Sequence, residues 1–206
     1  MALVIILLVT LSAGALVLVP RPLFAEAGEA PPARRLEIGL GLALAALGVG
    51  ICLAGPGASL GARATLAVAL MALTAIAYSD FRFLIIPDLY SATLALIGLV
   101  GVLSPGLWPA LAGAAICGGL LALVAWAFKR QTQVEGMGFG DVKLAAAIGA
   151  LLGPQMGLWA VAASALIGAL IGAIWSRMRK GDGPMLLPYG AALALVSATL
   201  LTAGQL

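Results

Sequence analysis

The chain has 206 residues, 63% of them hydrophobic and 9% charged, against roughly 45–50% and about 25% in soluble domains. Water is therefore excluded as its main solvent. Histidine is absent, which removes Ser-His and Cys-His nucleophilic pairs and the usual zinc-hydrolase ligands and leaves Asp, Glu, Lys and Tyr for any acid-base chemistry.

Apolar runs recur along the chain, most of them long enough to cross a hydrocarbon core about 30 Å thick at 1.5 Å per residue. In order they are Ala2–Val19, Leu36–Ala54, Ala62–Tyr78, Leu84–Leu103, Leu107–Phe128, Phe139–Gly153, Gln155–Trp175 and Met185–Leu201. Pro, Gly or charged residues separate them. The expected fold is an all-α polytopic membrane helix bundle of about eight spans, with residues 1–206 forming one domain. The sixth run is the shortest, so it begins in a protein-lined cavity or thins the bilayer locally.

Basic residues accumulate in cytoplasmic loops. An outward N-terminus gathers Arg21, Arg34, Arg35, Arg82, Lys129, Arg130, Lys143, Arg177, Arg179 and Lys180 on the cytoplasmic face and leaves Arg63 alone on the other. The net charge of +3 then reflects topology, and no nucleic-acid partner is expected. The first run lacks a basic residue ahead of it and has Arg21 behind it, which suits an uncleaved anchor better than a signal peptide, although Leu23–Ala27 offers small residues of the kind a signal peptidase accepts. Pro20–Glu37 reads as a cytoplasmic linker. Cys52 and Cys117 lie inside apolar runs without Cys or His neighbours, so neither a metal cluster nor a disulfide framework is indicated. No cofactor is expected.

All 8 acidic residues fall on the basic side. Glu26, Glu29, Glu37, Glu135 and Asp182 sit in loops beside Arg or Lys. Asp88 follows Pro87 at a span start, where capping of free amides is the preferred role. Asp80 and Asp141 differ, because each joins a long apolar helix near the depth where a charge costs about 2.5–3.5 kcal/mol. Two whole crossings lie between them, so both return to the cytoplasmic face. Two carboxylates in one site do not both ionise easily; such a pair shares a proton, activates water and protonates a leaving group without metal or cofactor. Taken singly, Asp141 could merely cap its helix and Asp80 merely snorkel outward beside Arg82. Helix polarity suggests that Asp141, at a helix start, acts as the base, and Asp80, at a helix end, carries the proton.

Gly136, Gly138 and Gly140 precede Asp141 on alternate residues, giving a backbone that can adopt unusual angles and approach an extended peptide closely. No strand precedes them and neither the Rossmann nor the P-loop pattern is met. Lys143 stands about 200° around the helix from Asp141, so lipid phosphate or a substrate carboxylate are its expected partners. The remaining span glycines serve close helix packing.

Met137-Gly138-Phe139-Gly140-Asp141-Val142-Lys143-Leu144 resembles the GxGD signature of prepilin peptidases, bacterial membrane aspartic proteases. Asp80 through Ile86-Pro87-Asp88 is similar to the first catalytic-aspartate region of that family, and Leu187-Pro188-Tyr189-Gly190 to its late Pro-Phe-Gly element with Tyr for Phe. The resemblance runs from about the third span to the C-terminus. It implies that Asp80 and Asp141 are the catalytic pair, that Gly136, Gly138, Gly140, Lys143, Pro188, Tyr189 and Gly190 shape the substrate site, and that the substrate is a type IV prepilin or pseudopilin whose basic leader is cut at the cytoplasmic face of the inner membrane. Bifunctional members also N-methylate the product, and many carry paired cysteines in the first cytoplasmic loop. Pro20–Glu37 is short and has no Cys, which counts against methyl transfer and bound zinc. Competing classes are a small ion- or proton-coupled transporter, whose acids would sit near mid-span, and a non-enzymatic pilus-assembly platform, which would need neither aspartate.

Overall fold

The computed structural model describes residues 46, 49, 50, 59–101, 103, 106–132, 138–178 and 188–203. The expected first two spans, the linker Pro20–Glu37, Cys52 and Gly136 lie outside the described residues, apart from the three isolated positions. Five helices follow in order: α1 (Leu60–Phe83), α2 (Asp88–Val100), α3 (Leu107–Thr132), α4 (Phe139–Met178) and α5 (Tyr189–Ala203). The described residues contain no strand. Three of these helices are long and apolar enough to cross a membrane, and α2 and α5 are shorter.

α1 begins at Ser59, whose hydroxyl accepts from the Ala62 N–H at 3.4 Å, as a helix N-cap does. It ends where Leu84 turns left-handed (φ 56°) and donates its N–H to the Asp80 carbonyl at 2.9 Å. The expected fourth span therefore starts late. Pro87 disfavours helical angles at the residue before it, and residues 84–87 form a loop, so α2 starts at Asp88.

The expected sixth and seventh spans are the two arms of α4, broken at Gly153 (φ 77°, ψ 176°) ahead of Pro154. A Cβ on Gly157 would lie 3.0 Å from the Gly149 Cα, whereas eight residues of straight helix span about 12 Å. The chain thus doubles back at Gly153 into a helical hairpin. Glycine supplies the positive φ, and proline, which lacks an N–H, opens the second arm.

The first arm packs against α2 and α3 through backbone contact. A Cβ on Gly98 would lie 2.5 Å from the Ala150 carbonyl, and one on Gly113 would collide with the Gly149 oxygen. Such approach is the means by which helices associate where lipid removes the hydrophobic driving force. α5 lies along α1 and α4, and α1 also touches α2. Ala67, Leu73, Ile76, Leu94, Leu144, Ile148 and Leu193 are among the core side chains between them. Large apolar side chains coat the outside, with Trp108 80% and Val100 72% exposed. A surface of that kind suits a bilayer and would aggregate in water. Basic residues occupy last turns: Arg82 in α1, Lys129 and Arg130 in α3, Arg177 in α4.

Gly113→Ala drives a methyl into a backbone carbonyl and should cost about 1–3 kcal/mol, whereas Gly119→Ala, with nothing within 4 Å, should leave stability unchanged or slightly raised; melting of the detergent-purified variants compares them.

Candidate active site

Four stretches meet at one end of the bundle: the end of α1, the loop 84–87, the start of α4 and the start of α5. Asp80 lies in the last turn of α1, which runs on to Phe83. Its residue is 5% exposed, so its carboxylate does not snorkel outward. It turns inward, and Oδ2 accepts the Ala191 N–H at 2.7 Å, with the Gly190 N–H alongside. These are free amides of the first turn of α5, the positive end of a helix.

Asp141 is the third residue of α4. The Gly138 carbonyl accepts the Asp141 N–H at 3.1 Å, and the Asp141 carboxylate lies beside Gly138, where an added Cβ would sit 3.7 Å from Oδ2. An acid in the first turn of α4 suits the positive end of the helix. The structure thus places Asp141 in the first turn of α4, at the end of the bundle where Asp80 meets the start of α5. Both carboxylates face the positive end of a helix. The polarity argument that separated a base from a proton carrier accordingly loses its asymmetry, because α1 continues past Asp80 and α5 presents its amides to it.

Gly140 and Gly190 both face Ile86. A Cβ on Gly140 would lie 3.3 Å from the Ile86 Cβ, and one on Gly190 would lie 2.5 Å from the Ile86 Cδ1 and 3.1 Å from the Asp80 Oδ2. Pro188 precedes α5 and its carbonyl accepts the Ala192 N–H at 3.4 Å. Tyr189 opens α5 and donates its hydroxyl to the Val161 carbonyl at 3.3 Å. It also lines an apolar groove of about 550 Å³ between α3 and the second arm of α4, together with Leu121, Val124, Leu158, Trp159 and Ala162.

Lys143 and Asp88 find each other. Lys143 Nζ donates to both Asp88 oxygens, at 2.8 and 2.9 Å, and lies 5.3 Å from the Phe139 ring centre. Asp88 stands in the first turn of α2, but the N-cap is Pro87 and no side chain makes a cap hydrogen bond there. The expected capping role of Asp88 and the expected lipid or substrate partner of Lys143 thus give way to an ion pair between the starts of α2 and α4. The pair is invisible to spacing, since 55 residues separate its members. Ile86 stands in the sequence only as part of the Ile86-Pro87-Asp88 stretch, and nothing there marks it, among Leu84, Ile85 and Ile86, as the residue that meets Gly140 and Gly190. Among the described residues no cluster of three or more His, Cys, Asp or Glu could hold a metal.

Fold and site together define a helical membrane protein with two carboxylates held at one end of the bundle. The model described as the Type IV leader peptidase family matches residues 67–173, just over half of the chain, and the chain belongs to that family. It is 39% identical over 127 residues to a protein of Xanthomonas campestris pv. campestris named prepilin leader peptidase/N-methyltransferase, covering 60% of this chain and 44% of the relative. A protein of the same name from Pectobacterium carotovorum is 39% identical over 68% of this chain and 50% of its own length. One from Burkholderia pseudomallei is 37% identical over 73% and 48%. The chain therefore spans about half the length of the curated relatives it matches. No solved structure matches it.

With side chains 42% and 72% exposed, the Lys143–Asp88 pair should show a coupling of about 0.2–1 kcal/mol; a double-mutant cycle of Lys143→Met and Asp88→Asn on thermal stability measures it, and added salt should shrink it.

Proposed function

We propose that this chain is an aspartic endopeptidase of the inner membrane that removes the basic leader from type IV prepilin or pseudopilin precursors at the cytoplasmic face. What supports this reading is that Asp80, turned inward onto the first amides of α5, and Gly140-Asp141, at the start of α4, flank the same Ile86 side chain at one end of the bundle, in a chain that belongs to a leader peptidase family. In the proposed reaction one carboxylate takes a proton from water, whose oxygen attacks the scissile carbonyl. The protonated partner donates to the carbonyl oxygen. The tetrahedral species then collapses: one of its hydroxyls returns a proton to the acid that protonated the carbonyl oxygen as the carbonyl re-forms, the carbon–nitrogen bond breaks, and the amine leaves with a proton from the acid that received it from water. One water is added across the peptide bond and both aspartates return to their starting states.

The orientation, with the N-terminus outside and the site in the cytoplasmic leaflet, rests on the partition of basic residues. The leader and the surrounding loops carry like charge, so attraction between them does not recruit the substrate. The apolar stem that follows a prepilin leader fits the groove beside Tyr189 better, since that groove opens among lipid-facing residues of α3 and α4. The relatives' names also carry an N-methyltransferase. Pro20–Glu37 holds no cysteine, and the proposal is confined to the peptidase.

Co-expression with a precursor bearing a basic leader and a glycine before an apolar stem should yield the shortened product with the wild-type chain. Asp80→Asn and Asp141→Asn should each abolish it, and appreciable turnover by either variant overturns the aspartate pair. Ala162→Trp, which fills the groove, should raise KM about tenfold with little change in kcat, as read from initial rates in proteoliposomes.

A further inference from the structure

Ile86 occupies a place that the proposed chemistry does not require and that the packing around it nevertheless singles out. The loop carrying it is fixed at both ends by the elements that carry the aspartates. At one end Leu84 donates its N–H to the carbonyl of Asp80 itself at 2.9 Å, in the left-handed conformation that no other non-glycine among the described residues adopts. A leucine adopts that conformation only when its surroundings hold it there. At the other end Asp88 is gripped by Lys143, two residues past Asp141, at 2.8 Å. Between these anchors the Ile86 side chain is half-buried and packs on the core.

Its two flanks meet residues without side chains. The Cβ side faces Gly140, where an added Cβ would sit at 3.3 Å; the Cδ1 tip faces Gly190, where it would sit at 2.5 Å. Gly140 immediately precedes Asp141, and Gly190 immediately precedes the residue whose N–H holds Asp80. Ile86 therefore stands between the backbone that carries one carboxylate and the backbone that orients the other.

We infer that Ile86 is a positioning residue, an apolar spacer whose length sets the separation of the starts of α4 and α5 and thereby of Asp80 and Asp141. Gly140 and Gly190 are the two faces against which it seats. This inference rests on the proposed peptidase reading for its catalytic consequence, while the spacing itself is a property of the packing.

The test uses the full chain with Ile86→Ala, Ile86→Val, Gly190→Ala and the double variant Gly190→Ala/Ile86→Val, scored by prepilin cleavage and by melting in detergent. Ile86→Ala should lower kcat about tenfold to a hundredfold, as misplacement of a reacting group by about 1 Å does, with KM little changed. Ile86→Val, which keeps the branched Cβ against Gly140, should lose less. Gly190→Ala should lose cleavage and melting temperature, and adding Ile86→Val, which deletes the Cδ1 that the new methyl meets, should restore part of both. Non-additivity in the melting cycle reports the contact between Ile86 and Gly190, and a fall in kcat at unchanged KM, measured on folded Ile86→Ala protein, reports positioning, which a merely structural isoleucine would not give. Additivity in the melting cycle, or an Ile86→Ala defect confined to KM, overturns the inference. If the wild-type chain cuts no precursor, the peptidase proposal falls, and the melting cycle still decides the spacing.

Discussion

The hydrogen bond from the Ala191 N–H to the Asp80 carboxylate, 2.7 Å long and bridging 111 residues, organises the end of the bundle where the site lies. A buried acid is costly unless its acceptors are filled, and the open amides at a helix start are equally in need of acceptors. Each deficit meets the other. The bond fixes which face of α1 turns towards α5, and the rest of α5 then follows α1 along the core. Without it the acid would have to leave for the headgroups, and the first turn of α5 would lack the cap that neither Pro188 nor Tyr189 supplies.

Glycine carries the remainder of the architecture. At Gly98, Gly113 and Gly149 helices touch backbone to backbone, so the first arm of α4 is clasped by α2 and α3 at a distance no side chain would permit. The hairpin at Gly153 then lays the second arm beside the same surface. The first arm, the shortest of the expected crossings, is thus shielded by protein from Leu144 onward, which suits a short helix with Asp141 in its first turn to a bilayer. The ion pair between Lys143 and Asp88 adds little energy and fixes a register, tying the start of that arm to the start of α2.

Much of the helix order was legible from composition, because the thickness of a bilayer imposes a minimum apolar length and α1, α3 and the second arm of α4 meet it, whereas the first arm, 139–153, falls short. The break near Gly153 and Pro154 was equally legible, since both residues act through their own backbones. The late start of α2 was not: Leu84, Ile85 and Ile86 are as apolar as any span, and only the left-handed turn at Leu84 removes them from the helix. Asp80 and Asp141 stood out as acids among apolar residues, but their surroundings did not. The partner of Asp80 is a backbone amide, a group every residue but proline carries, so no residue type announces it. Lys143 and Asp88 were each conspicuous, while their pairing depends on the loop between them. The glycines foretold close packing in kind and could not say which glycine meets which carbonyl.

Because the amides that orient Asp80 belong to the last of the described helices, the order of synthesis matters. A nascent chain already threaded into the membrane as far as α4 holds both acids, yet the amides that Asp80 accepts from are absent until residues 188–191 leave the ribosome and α5 is inserted. Assembly of the proposed centre is thereby deferred to a late stage of biogenesis, and a polypeptide truncated before α5 would carry its carboxylates without the scaffold that aims them.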